Sequence, residues 1–320
     1  MTNHSSQSPE PCPLRIGSRG SQLALWQANH IANQLRSLGH EVTIEIIRTT
    51  GDAMQHLSFA QVGASVPKGM FTKEIEEALY ERRIDLAVHS LKDLPTSLDP
   101  PFTIAAIPPR ADPRDAFVSI SFENFAALPS GARVGTSSLR RQAQLRSVRS
   151  DLQLLEFRGN VDTRLRKLSE GQAEAIILAS AGLERLERTE YLRERFPALV
   201  LCPAAGQGAL AIETRADDAS TIEALAVLDD ADTRFAVTAE RAALAALGGG
   251  CQVPIGIHCA PSSDGFTITG AVAAPNGDAI VRAAFDHQNG QSAAALGEKL
   301  AARLLEQGAG TLLETMAPRD

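Results

Sequence analysis

The sequence predicts an α/β protein built as two α/β domains followed by a small α+β domain. Three observations predict it. Strand-like and helix-like segments alternate through the first two thirds of the chain, a proline-bearing break at residues 108–113 interrupts that alternation, and the pattern changes character from about Thr233.

Taken in order, residues 14–17 form a short apolar strand, and 22–38 carry the apolar spacing of a helix that Gly39 ends. Residues 42–47 are β-branched and strand-like, 73–83 form an amphipathic helix, and 84–89 (IDLAVH) read as a buried strand. This β-α-β-α-β order implies a mainly parallel sheet covered by helices. The three prolines of residues 108–113 mark a hinge into a second domain. There a strand at 132–135, a helix at 138–149, a strand at 152–157, a helix at 161–170 and a strand at 174–179 repeat the alternation. After CPAAGQG, a strand at 209–213 returns to the first domain. The Ala-rich helix 234–247 then runs into GGGCQVPIG, and strands at 266–273 and 280–285 and a helix at 292–306 complete a third domain. The boundaries are therefore 1–108 with 209–228, then 113–203, then 232–320.

The net charge of −7 argues against a nucleic-acid binder, and no apolar run is long enough to span a bilayer. The segment MTNHSSQSPEPCP lacks the apolar stretch of a secretory signal and reads as a disordered tail. Cys12, Cys202, Cys251 and Cys259 form no CxxC pair and lack zinc spacing, which fits a reduced, cytoplasmic setting. Against this acidic background, residues 133–167 hold eight arginines and one lysine with three acids. Such a concentration suits a small anionic ligand, although a solvated helix face has the same composition.

The stretch RVGTSSLRRQ (133–142) places Thr136, Ser137 and Ser138 where a strand gives way to a helix, a ready anion site. Arg140 and Arg141 follow, about 100° apart on the helix, so they can hold two different carboxylates by bidentate bonds. A serine-capped, solvated basic helix fits the same residues. RGNVDTR (158–164) repeats the arrangement with Arg158, an Asn160 cap and Arg164, and GSRGSQ (17–22) adds Arg19 and Ser21. In HSLKDLP (89–95), Lys92 and Asp93 follow a strand's carboxyl end, where ligands of open α/β sheets sit. The carboxylate there suits a developing cation, and an ordinary Lys–Asp surface turn fits equally. Cys251, after three glycines, is either an accessible nucleophile or a small residue closing a helix.

Together these segments resemble one family. LALWQA, Gly51–Asp52, AVHSLKDLP, DPRDAFVS, VGTSSLRRQ, RGNVDTR, AIILASAGLERL, PAAGQGALAIE, TAERA and GGGCQVPIG occur in order from about Leu14 to the C-terminal helix, and the chain is similar to porphobilinogen deaminases. The resemblance implies two type II periplasmic-binding-protein-like domains flanking a cleft, with a small α+β C-terminal domain. It implies a dipyrromethane cofactor joined covalently to Cys251 through a thioether. Four porphobilinogen molecules are then added one by one with loss of ammonia, and hydrolysis releases linear hydroxymethylbilane. By its match, Asp93 holds pyrrole N–H groups and stabilises the cationic azafulvene left when porphobilinogen loses ammonia. Ser21, Lys92, Thr136, Ser138, Arg140 and Arg141 match cofactor contacts, and Arg19, Gln27, Arg158, Arg164, Arg185 and Lys68 match substrate contacts. The resemblance also implies a monomer. The chain departs from the family at VGASVPKGMF (62–71), about three residues longer than usual and carrying Pro67, which puts the closure of that loop over the cleft in doubt. Two other readings remain: an anion-binding module without catalysis, and a nucleic-acid binder using residues 133–167.

Overall fold

The computed structural model describes residues 13–49, 72–249 and 253–314, which form three sheets. The first contains β1 (Leu14–Ser18), β2 (Val42–Ile46), β3 (Leu86–Ser90), β4 (Phe102–Ala106) and β10 (Leu210–Arg215), in the order β2-β1-β3-β10-β4. The second contains β5 (Asp115–Val118), β6 (Arg133–Gly135), β7 (Gln153–Leu155), β8 (Ala175–Ala179) and β9 (Leu192–Arg195), in the order β7-β6-β8-β5-β9.

The two sheets are wound alike. In each, three parallel strands lead and an antiparallel strand sits fourth: β10 beside β3 and β4, and β5 beside β8 and β9. The chain crosses from the first sheet to the second between β4 and β5, and returns between β9 and β10. This double crossover between two similarly wound sheets is the binding-protein-like arrangement. The sheets are mixed where the alternation alone predicts mainly parallel ones, because each crossover strand enters its sheet from the opposite end.

Helices cover the faces for local reasons. On α1 (Gln22–Ser37), Ala28, Ile31, Ala32 and Leu35 recur at helical spacing and are buried against β1 and β3, while Ser21 caps its first turn. On α2 (Lys73–Tyr80), Ile75, Ala78 and Leu79 cover the other face, packing with Ile84 and Ala87. This helix stops three residues before the 83 that its pattern suggests, because Arg82 takes a positive φ of 57°. In the second domain, α3 (Leu139–Val148) and α4 (Val161–Ser169) are capped by Ser138 and Asn160, and α5 (Ser180–Arg185) follows β8 directly.

After α6 (Ala219–Ala226), the long α7 (Ala231–Ala246) leads into the antiparallel sheet of β11 (Ile255–Ser262), β12 (Gly265–Ala273) and β13 (Ile280–Asp286). With α8 (Ala293–Glu306) it encloses a separate core of Ala239, Ala243, Ile257, Ile268, Leu296 and Leu300. A short α9 (Ala309–Glu314) closes it.

Candidate active site

The site is assembled where parallel strands end. In the first domain, β1 runs into Arg19 and Ser21, and β3 into a single 3-10 turn, Leu91–Asp93. In the second, β6 runs into residues 136–138, β7 into Arg158, and β8 into α5 with Arg185. The two sets face one another. Lys92 and Asp93 lie within electrostatic reach of Arg141 and Arg164 respectively.

The centre of the second set is a carboxylate. Asp115, fully buried at the head of β5, accepts from Arg140 Nη1 at 2.7 Å, from Arg141 Nε and Nη2 at 3.0 and 2.7 Å, and from Gln207 Nε2 at 2.8 Å. Burial alone would raise this carboxyl, but the two guanidiniums outweigh it and hold it well below the usual carboxylate range. Arg140 and Arg141 thus share one acid of the protein. Their Cα positions diverge, but the long side chains converge on one acid of a neighbouring strand. Arg141 spends its third nitrogen on the Ile177 carbonyl at 3.0 Å. Arg140 uses Nη1 twice, on Asp115 and on the Cys202 carbonyl at 2.6 Å, so among the described residues its Nε and Nη2 are left for a ligand.

The remaining cations lie around this pair. Burial pushes the Lys92 ammonium down to about 8, against the pull of Asp93 and helped by repulsion from Arg141. Burial, with Arg141 adding repulsion, lowers Arg164 to about 10. Arg164 donates to the Gly159 carbonyl at 2.9 Å, and Arg158, about a quarter exposed, pairs with Glu156. Arg185 is lowered to about 10 by burial; it donates to the Gly208 carbonyl at 2.7 Å and lies over the Trp26 ring at 5.8 Å, tying the second domain to α1. Asp93 itself is exposed at the end of its turn.

Several matched polar residues have structural tasks. Ser21 and Ser138 cap α1 and α3, and Thr136 Oγ1 accepts from the Ser138 amide at 3.3 Å. Gln27, buried on α1, donates to Ser90 at 2.8 Å and so fixes the end of β3 that carries Lys92. Ser137, by contrast, has a buried hydroxyl with no hydrogen-bond partner among the described residues. Cys251 and Lys68 lie outside the described residues, as do Gly51–Asp52 and the loop 62–71. Cys202 and Cys259 are buried thiols pushed up to about 12 by desolvation, which removes them as nucleophiles.

Sequence reasoning missed Asp115 and Gln207. Asp115 gave one signal, an acid heading the apolar run AFV; Gln207 gave another, a glutamine between two glycines.

Four cations (Lys92, Arg140, Arg141, Arg164) against two carboxylates (Asp93, Asp115), with an unsatisfied Ser137 hydroxyl, fit a ligand bearing several carboxylates, as a dipyrromethane does.

Comparison with known proteins agrees with that chemistry. The family description "Porphobilinogen deaminase, dipyromethane cofactor binding domain" matches residues 14–223, and "Porphobilinogen deaminase, C-terminal domain" matches 234–306. The porphobilinogen deaminase of Syntrophotalea carbinolica is 48% identical over 305 residues, covering 95% of this chain and 96% of that protein. That of Trichlorobacter lovleyi is 49% identical over 314 residues, covering 97% and 98%. That of Roseiflexus sp. is 50% identical over 302 residues, covering 94% and 98%. Among solved structures, a nutrient binding protein from Burkholderia cenocepacia bound to methionine is 12% identical with a TM-score of 0.41, covering 66% of this chain and 89% of that one. With relatives at this identity along nearly its full length and both family domains in sequence order, the chain belongs to the porphobilinogen deaminase family.

Proposed function

We propose that this transferase joins porphobilinogen units in the cleft between its first two domains, with Asp93 as the catalytic carboxylate and the surrounding cations as holders of the pyrrole side chains. The observation that carries the reading is the excess of positive charge, half-buried at Lys92 and Arg164 and buried at Arg140 and Arg141, opposite an exposed acid. Asp93 accepts pyrrole N–H groups and lies against the positive charge that develops when the amino group of the substrate's aminomethyl substituent departs as ammonia and leaves its methylene on the ring. Lys92, Arg164 and the free edge of Arg140 take carboxylates, while Arg141 and Asp115 hold that edge in place. Ser137 supplies a hydroxyl to one of those carboxylates. Arg19, Arg158 and Arg185 extend the cationic wall for the lengthening product. The dipyrromethane, when bound through Cys251, supplies the primer to which new units are attached.

We also propose that the enzyme works as a cytoplasmic monomer without nucleic acid. The net charge of −7 supports the last point, and no helix among the described residues is long and apolar enough to cross a membrane.

Intact mass tests the whole reading. Protein from a haem-making host is expected to exceed its sequence mass by two pyrrole units, Cys251→Ser protein is not, and porphobilinogen should add discrete steps. A wild-type chain of bare sequence mass that releases no ammonia from porphobilinogen sinks the proposal and leaves reversible anion binding as the function.

A further inference from the structure

Gln207 stands between two glycines with left-handed backbone, Gly206 at φ 73° and Gly208 at φ 86°. A Cβ on Gly206 would come within 3.2 Å of the Lys92 amide nitrogen, and one on Gly208 within 2.5 Å of the Ala111 carbonyl oxygen. Only glycine at both places lets this segment press between the Leu91–Asp93 turn and the crossover that leads to β5. The segment is then fastened from three sides. The Gln207 carbonyl accepts from Arg110 at 2.8 Å, the Gly206 amide donates to Glu240 at 2.6 Å, and the Gly208 carbonyl accepts from Arg185 at 2.7 Å.

So held, the Gln207 side chain points inward and is 1% exposed. Its Nε2 donates to the Pro113 carbonyl at 2.6 Å and to Asp115 Oδ1 at 2.8 Å, and its Oε1 accepts from Lys92 Nζ at 3.4 Å. One amide therefore joins the residue beside the catalytic carboxylate to the acid that centres the arginine pair. A glutamine is suited to this. It offers a donor toward the carboxylate and an acceptor toward the ammonium at once, and no rotation of the amide serves both if either partner moves.

We infer that Gln207 is a positioning residue for the reaction, holding the Lys92–Asp93 turn of the first domain in fixed register with the Asp115-centred arginine pair of the second. The inference rests on the assignment of Asp93 and the arginines given above. Lys92 is attracted by Asp93 and Asp115 and repelled by Arg141 and Arg140, and the Gln207 side-chain carbonyl is one acceptor that holds its ammonium on the side of Asp115. Without that carbonyl the ammonium loses one of its holds on the second domain and shifts. Asp93, the next residue of a single 3-10 turn, moves with it. Misplacement on this scale costs rate more than binding.

Gln207→Met keeps the volume and removes all three side-chain bonds. It is expected to lower kcat about 10–100-fold, more than it raises KM through the displaced Lys92, while the mass of the covalent adduct stays that of wild type. Loss of an acceptor for the charged form also shifts the Lys92 titration to lower pH. Acetylation of Lys92 as a function of pH, read by peptide mass mapping, reports that directly, from a wild-type midpoint near 8. If Gln207→Met does not fold, Gln207→Asn, which keeps the amide one methylene short, is read in the same way. A folded variant with wild-type kcat overturns the inference. So does a variant that loses stability and rate together while its Lys92 midpoint stays in place, since that is a packing effect alone. A wild-type protein that does not turn over porphobilinogen fails the site assignment itself, a separable result.

Discussion

Asp93 ends a three-residue turn with its side chain exposed, so its removal costs the fold little. Asp93→Ala is expected to melt like wild type and to release ammonia from porphobilinogen roughly 10²–10³-fold more slowly, the usual effect of removing one electrostatic contact to a transition state; thermal melting and an ammonia assay check both halves. Lys92 gives the pH dependence. Its ammonium is held down to about 8, so it is charged at neutral pH and loses its proton as pH rises through that value. Affinity for carboxylate-bearing ligands is therefore expected to be steady below about pH 8 and to fall above it, with Lys92→Met abolishing the fall. Asp115 behaves oppositely. Its carboxyl is depressed by Arg140 and Arg141, so its contribution is complete above the unfolded carboxylate value of about 3.9 and lost only in strong acid. Asp115→Asn leaves two buried guanidiniums without their counter-charge and is expected to destabilise by about 3–5 kcal/mol in urea unfolding at pH 7. Arg158 is a weaker case than its motif suggests. It is partly exposed and paired with the exposed Glu156, so its loss should be felt in KM rather than in stability.

Among the elements, the strands and helices of the first two domains serve mainly to deliver loop residues to a common edge. Those loops were legible wherever a cap or a strand end marks them. Ser138 and Asn160 cap the helices that their positions announce, and the IDLAVH run becomes a strand buried on both faces. Illegible were β4 and β5, whose short runs give no period of their own, and β9, whose residues LRER are mostly charged. β5 matters most, because it carries Asp115 under the arginine helix. The crossover segment 206–208 makes an element-scale prediction. Gly208→Ala places a Cβ 2.5 Å from a carbonyl oxygen at a φ of 86°, and is expected to destabilise by more than about 1 kcal/mol, measured as a lower urea midpoint with an unchanged slope.

At the scale of the whole molecule, one buried acid gathers contacts from all three domains. Glu240 of α7, fully buried, accepts from Arg110 at 2.7 and 3.1 Å, from the Gly206 amide at 2.6 Å and from the Cys259 amide at 2.7 Å. Burial opposes its charge, but Arg110 and His258 keep its carboxyl below the usual range. Arg110 comes from the first crossover, Gly206 from the second, and Cys259 from the third domain's sheet, so the junction holds all three domains together. Arg110→Met is expected to resolve a single thermal transition into two in calorimetry, with the C-terminal domain melting apart from the rest. A single, merely lowered transition would show that the other contacts between domains suffice for cooperativity.

The sequence by itself determined the alternation that makes two α/β domains and a third, the caps that start the helices, and the family to which the ordered motifs belong. Those features are written in neighbouring residues, where periodicity and capping act. Which acid neutralises Arg140 and Arg141, which amide links them to Lys92, and which carboxylate joins the domains were decided only by the tertiary structure. Asp115 and Arg141 are 26 residues apart, Lys92 and Gln207 are 115, and Arg110 and Glu240 are 130. A buried charge must find its partner wherever the fold places one, and no local pattern records that choice.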